Sequence, residues 1–411
     1  MKDLLEVIVF DTPFSWTLLA ITALSVVLVP RFFGVKMLNG LLFAQMTLFF
    51  NAIAIIAGLS NEAILVERAI HFFSVELLFF ALIYATYGHL LKRREQVLAA
   101  LQRFFGSKAA IPFIAFMMLV ASFNAVVTPT DGSSRIEYMT NAWFSLVKPF
   151  IQLALPLSYL GVFILLLNPK RRRLGYLLLV TTVTSNIMTG SKASFAYSLL
   201  SAFLMLRDLS ISHYRLRIRA QDKVKLFLFV AAMIGVALTR LNVSPADVSD
   251  RFFLFGEATI LIYFADQPTA ACEGVSTFAS MHRGLARLAG DSSANDIDTL
   301  FGFALMIEAT GVNTFTGPNA RLSAYALCNF PDERIVFWAI VVAVYLGLML
   351  VVFSLSLNRP RLLAILYPFF LVSLAAASQD FNLIMQDITL FCGLLCVLVF
   401  ILASKPRPTH V

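Results

Sequence analysis

The residues best equipped for chemistry in this chain are cations set among apolar neighbours. Lys192 stands in TGSKASFAYS (189–198), a Gly-Ser turn inside a stretch that is otherwise largely hydrocarbon from Gly175 to Leu206. Such an ammonium has two readings. Its stem can snorkel to an interface, or its charge can be aimed at an anionic ligand in a cavity, since ionisable groups at membrane depth mark functional sites by default. Arg251 opens DRFFLFGEATILIYFAD (250–266), an aromatic-rich amphipathic stretch that also carries Glu257 and Tyr263. A guanidinium there can hold phosphate in a bidentate fork; alternatively it pairs with Asp247 or Asp250. His282 and Arg283 are adjacent further on. In VNTFTGPNARLSAYALCNFPDERIVFWAIVVA (312–343), the side chains of Asn313, Thr314, Thr316, Asn319 and Ser323 form a dense hydrogen-bonding set around Arg321. With Phe315 and Tyr325, they offer the amides, hydroxyls and rings that sugar recognition requires. The alternative is a polar loop capping a helix.

Other chemistries lack their signatures. The sequence has no P-loop, no His/Cys/Asp/Glu grouping with metal-ligand spacing and no Gly-x-Ser-x-Gly nucleophile turn. Its five histidines, at 71, 89, 213, 282 and 411, are scattered. An enzyme built from this chain is expected to work without nucleotide, metal or other cofactor, drawing its electrostatics from Arg and Lys.

The elements that must position these residues are membrane helices. The chain is 59% apolar and 14% charged, with a mean hydropathy of +0.82, whereas soluble domains carry about 25% charge. Continuous apolar runs of about 17–25 residues point to helices and exclude a barrel of alternating ten-residue strands. The fold class is therefore all-α: a polytopic integral membrane protein forming one helical domain over 1–411. Spans are expected at 14–30, 37–58, 71–91, 109–128, 143–168, 175–188, 195–206, 224–242, 335–357, 362–378 and 385–403, eleven in all. Residues 1–11 carry Asp3, Glu6 and Asp11 against Lys2, so the basic region of a cleavable signal is missing and the first apolar segment is expected to span. Cys392 and Cys396 in the last span read as packing residues.

Loop charge orients the spans. Basic clusters at Arg31/Lys36, Lys92-Arg93-Arg94, Lys170 to Arg173, Arg215 to Lys225, Arg359/Arg361 and Lys405/Arg407 mark cytoplasmic loops. The N-terminus then lies outside and the C-terminus inside. The net charge of +8 records insertion and contact with the lipid bilayer, not nucleic-acid binding. Basic loops on both sides of 174–206 require that segment to cross and return, turning at Thr189-Gly190-Ser191. Residues 243–334 form one large outer loop, with eleven acids against five arginines. Its apolar stretches 253–265 and 299–312 are too short to span and are expected to be short interfacial helices. Cys272 and Cys328 both fall in this loop and are placed to pair if it is outside.

Together, the Gly-Ser-Lys turn followed by Phe195, the DRFF…YFAD opening of the large loop and the GPNARLSAYALCNFP segment before a late span resemble the Wzy-type polymerases of O-antigen and related polysaccharide repeat units. Members of that family carry a comparable Gly-x-Lys or Gly-Ser-Arg turn, an Arg-Phe-rich segment after the next span and an Asn-rich segment before a late one. Where members often have a glycine after the Asn/Tyr segment, this chain has Asn329-Phe330-Pro331.

The resemblance implies a metal-independent glycosyltransferase of the bacterial inner membrane, acting in lipopolysaccharide biosynthesis. It would move a growing glycan from undecaprenyl pyrophosphate to the terminal sugar of a second lipid-linked repeat unit on the periplasmic face. It also implies a chain-length regulator protein as partner. Arg251 and Arg321 would stabilise the departing pyrophosphate, joined by Lys192 and Arg283. Glu257 or His282 would take the acceptor's proton, with Asp250 and Glu76 as other candidates. Tyr263, Asn313, Asn319 and Tyr325 would hold sugar. Two alternatives stand beside it: an O-antigen ligase, which shares the general architecture but takes lipid A–core as acceptor, and a lipid-linked oligosaccharide flippase, which would instead show central intramembrane charges, repeated halves and short loops.

Overall fold

The computed structural model describes residues 13–60, 66–127, 142–188, 194–210, parts of 221–235, 335–376 and 381–403. Among them every regular element is helical. In chain order these are α1 (Pro13–Phe32), α2 (Leu42–Ser60), α3 (Val66–Leu91), α4 (Arg94–Gly106), α5 (Ala110–Val127), α6 (Ala142–Leu167), α7 (Arg172–Met188), α8 (Ser194–Leu209), α9 (Ile335–Ser356), α10 (Pro360–Ala376) and α11 (Phe381–Ala403).

Four described helical stretches are long and apolar enough to cross a membrane: Pro13–Phe32, Phe73–Leu91, Ala110–Val127 and Ala339–Ser356. Shorter apolar stretches lie at Leu42–Ile53, Ala154–Leu167, Pro360–Ala375 and Ile388–Ala403. The remaining expected spans do not meet that standard among the described residues. The expected span 224–242 falls mostly outside them, although 224–229 is helical.

The helices are apolar on their outer faces as well as their inner ones. On α5, Ile114, Met117 and Val120 are buried while Ile111, Leu119 and Val126 are exposed. A water-facing helix would carry polar residues on that second face; one facing lipid has no reason to.

Several polar side chains inside the apolar helices are satisfied locally. Thr22, Ser74, Thr86, Ser158 and Thr181 each donate to the carbonyl four residues earlier, at 2.7–2.9 Å. The polar end of α7 also makes a bond across helices, from Ser185 Oγ to the Ala121 carbonyl of α5, while Asn186 Nδ2 donates back to Thr182 O at 2.9 Å. Between α9 and α10, the Tyr345 hydroxyl donates to Ser373 O at 2.9 Å.

α7 and α8 run out and back. Phe163, one turn before the end of α6, packs on Phe203, less than two turns before the end of α8, with ring centroids 5.6 Å apart. The C-terminal ends of α6 and α8 therefore lie together. α7 starts at that same end, where Gly175 packs against Val162 and Leu165. Residues 189–193 thus connect the far ends of α7 and α8, the return required by the charges on either side. At 17 and 16 residues the two helices are about 25 Å long, short of a hydrocarbon core of about 30 Å.

Two expectations need correction. The basic segment 92–108, read as a loop, is largely the helix α4. Val97, Leu98, Leu101, Phe104 and Phe105 recur at the 3.6-residue period and are buried, while Arg94, Glu95 and Arg103 face out. Glu95 in the first turn and Arg103 in the last complement the helix dipole. α4 packs chiefly against α10, with further contact to α6 and α8, and Gly161 of α6 leaves the room that the Phe105 ring fills. Arg171 closes its C-terminal end, donating from one guanidinium nitrogen to Phe105 O at 3.3 Å and Ser107 O at 3.0 Å. The second correction concerns Cys392 and Cys396, which are exposed on α11 instead of packed in the core.

Candidate functional site

The residues singled out from the sequence mostly lie outside the described part of the chain. Lys192 falls in 189–193. Arg251, Glu257, Tyr263, His282, Arg283, Asn313, Asn319, Arg321 and Tyr325, with Asp250, Cys272 and Cys328, fall in 236–334. Glu76 is described: it is buried on α3 and engaged in a polar interaction.

Within the described residues, the basic end of the bundle carries a cavity of about 510 Å³. Its construction begins at the end of α1. Val35 N–H bonds Pro30 O at 2.8 Å and Gly34 N–H bonds Arg31 O at 3.0 Å, with Gly34 at φ 73°. This is the Schellman arrangement, in which glycine takes the left-handed position without a Cβ clash. The turn drives the Phe33 carbonyl against α3, where only Gly88 leaves room: a Cβ there would sit 2.6 Å from Phe33 O.

The chain then coils through a connection held by one amide. Asn39 Nδ2 donates to Lys36 O at 2.9 Å and Met37 O at 3.2 Å. Asn39 Oδ1 accepts from Leu41 N–H at 2.8 Å and from the Tyr84 hydroxyl at 3.1 Å. Gln45 reinforces it, donating to Met37 O at 2.7 Å.

Asp208, in the last turn of α8 beyond its apolar stretch, is locked into this connection. Its Oδ2 accepts from Gly40 N–H at 2.9 Å and from the Tyr87 hydroxyl of α3 at 2.8 Å. Gly40 has no room for a side chain, since a Cβ would lie 2.5 Å from Met205 and 3.0 Å from the Tyr87 hydroxyl. Only 4% of Asp208 is exposed, and its Oδ1 has no hydrogen-bond partner. Burial raises its pKa from 3.8 to about 6, against the opposing pull of the Gly40 and Tyr87 bonds and of the Arg207 and Lys36 charges. Arg207 is held by Leu38 O, and Lys36 Nζ reaches Arg207 O at 3.4 Å.

The cavity is lined by Lys36, Lys92, Arg93, Arg94, Glu95 and Asp208, with Phe33, Gly34 and Gly88 among the rest. No hydrogen bond or ion pair among the described residues occupies the side chains of Lys92, Arg93 or Arg94. The arrangement joins exposed cations to one buried carboxyl. It can attract an anion and offer a single acceptor, but it holds no nucleophile–base pair. No family model, curated protein or solved structure matches the chain.

Proposed function

We propose that the protein is a glycosyltransferase of the bacterial inner membrane that polymerises lipid-linked oligosaccharide repeat units, with its N-terminus in the periplasm, its C-terminus in the cytoplasm and about eleven spans. The donor is a growing glycan on undecaprenyl pyrophosphate and the acceptor is the terminal sugar of a second lipid-linked unit. An acceptor hydroxyl attacks the anomeric carbon, the bond from that carbon to the pyrophosphate oxygen breaks, and the diphosphate leaves on its lipid. The hydroxyl proton passes to a base, for which Glu257 and His282 are the candidates. Cleavage of the sugar–phosphate bond drives the transfer, so no nucleotide is needed.

The observation that carries this reading is the out-and-back path of α7 and α8, whose open ends both lie at the basic end. It supports a Lys192 turn on the side opposite the basic loops, the side to which loop charge alone assigns the acidic segment 243–334 in this reading. In this reading Arg251, Arg321, Lys192 and Arg283 gather around the diphosphate, where fixed cations stabilise the growing negative charge.

The test is the surface-polysaccharide ladder of strains carrying Arg251→Ala, Arg321→Ala or Lys192→Ala at normal protein level. Long chains should be lost in each. Full ladders from all three variants would remove these residues from the site.

A further inference from the structure

We propose that the cavity at the basic end of the bundle is a second binding site, separate from the glycan-transfer site, for a phosphate ester that also carries a hydroxyl group. Three observations point the same way. The cavity, of about 510 Å³, has room for a headgroup. Lys92, Arg93 and Arg94 follow one another from the end of α3 into α4, their side chains exposed and bonded to nothing among the described residues. With Lys36 across the cavity they supply the charge that a phosphate needs.

The third observation distinguishes this site from a merely basic surface. Asp208 lines the cavity, is only 4% exposed and keeps Oδ1 without a partner. A buried acceptor left unpaired is costly and calls for a partner. Its other oxygen already takes two donors, Gly40 N–H and the Tyr87 hydroxyl, so Oδ1 is the acceptor atom that remains. A bare phosphate has no use for it and would be repelled. A phosphate ester with a hydroxyl fits both halves: its phosphate meets the Lys/Arg run and its hydroxyl donates to Oδ1. A lipid with a glycerol headgroup supplies this chemistry from the bilayer; a sugar or glycerol phosphate supplies it from solution.

The two sources separate in one experiment on the purified full chain in detergent, read by native mass spectrometry. The probes are short-chain phosphatidylglycerol, phosphatidylmethanol (same charge, no hydroxyl), phosphatidylcholine and sn-glycerol 3-phosphate. The wild type should hold phosphatidylglycerol about tenfold more tightly than phosphatidylmethanol, as expected for one hydrogen bond to a charged group, and should hold phosphatidylcholine least. If glycerol phosphate binds as well as phosphatidylglycerol, the ligand comes from solution and the site stands.

Arg93→Gln/Arg94→Gln, at exposed positions, should weaken both anionic lipids about tenfold or more. Asp208→Asn should abolish the preference for the hydroxylated headgroup while leaving phosphatidylmethanol bound. Equal binding of phosphatidylglycerol and phosphatidylmethanol to the wild type would overturn the proposal. So would unchanged binding in the double arginine variant.

Discussion

Replacing Asp208 with asparagine gives a pH dependence that can be worked out in advance. Asp208 titrates at about 6 in the folded chain, against 3.8 for an ordinary aspartate. Between those values the folded chain holds a proton that the unfolded chain has released. The contribution of Asp208 to stability is therefore most favourable below about pH 4 and is lost as pH rises through 6, by roughly 3 kcal/mol at most. The amide of the Asp208→Asn variant cannot ionise. Its carbonyl still accepts from Tyr87 and Gly40, and its extra N–H adds a buried donor costing about 1–3 kcal/mol at every pH. The variant should thus be offset from the wild type and flatter with pH. The assay is the unfolding midpoint of the detergent-solubilised chain, followed by circular dichroism from about pH 4 to about pH 7. The difference between the two curves isolates the contribution of Asp208. Parallel curves would refute the reasoning.

Two further outcomes are expected. Gly88→Ala places a methyl 2.6 Å from the Phe33 carbonyl, and the turn ending α1 must retreat; a loss of about 1–3 kcal/mol should appear as a lowered melting temperature, and an unchanged one would contradict the close approach. Arg251→Lys should shorten the polysaccharide ladder although the charge is kept, because an ammonium cannot reproduce a guanidinium fork.

The apolar elements were legible in the sequence because spans need long uninterrupted hydrocarbon runs, and α1, α3, α5 and α9 have them. The return of α7 and α8 was legible from charge alone, since basic loops on both sides permit nothing else. The helix α4 was hidden by its own charges: Lys92-Arg93-Arg94, Arg103 and Lys108 read as a loop. Yet Val97, Leu98, Leu101, Phe104 and Phe105 already held a helical period within it. The Asp208 site had no comparable signal. Asp208 reads as a stray acid in a basic loop, and its burial depends on Gly40 and Tyr87, 168 and 121 residues away. Only the packing of α8 against the α1–α2 connection and α3 brings the three together. Gly34 is explained by its left-handed position in the turn that ends α1, and Gly88 by its close approach to the Phe33 carbonyl, a contact that no local pattern announces.

The most direct measurement of the central claim is a gel of surface polysaccharide from a strain deleted for this chain, with and without the wild-type copy restored. Polymerisation of repeat units requires that the deletion leave core bearing a single repeat unit, and that restoration return the ladder. An intact ladder in the deletion strain, or core with no repeat unit at all, would contradict it; the second result is the one a ligase would give.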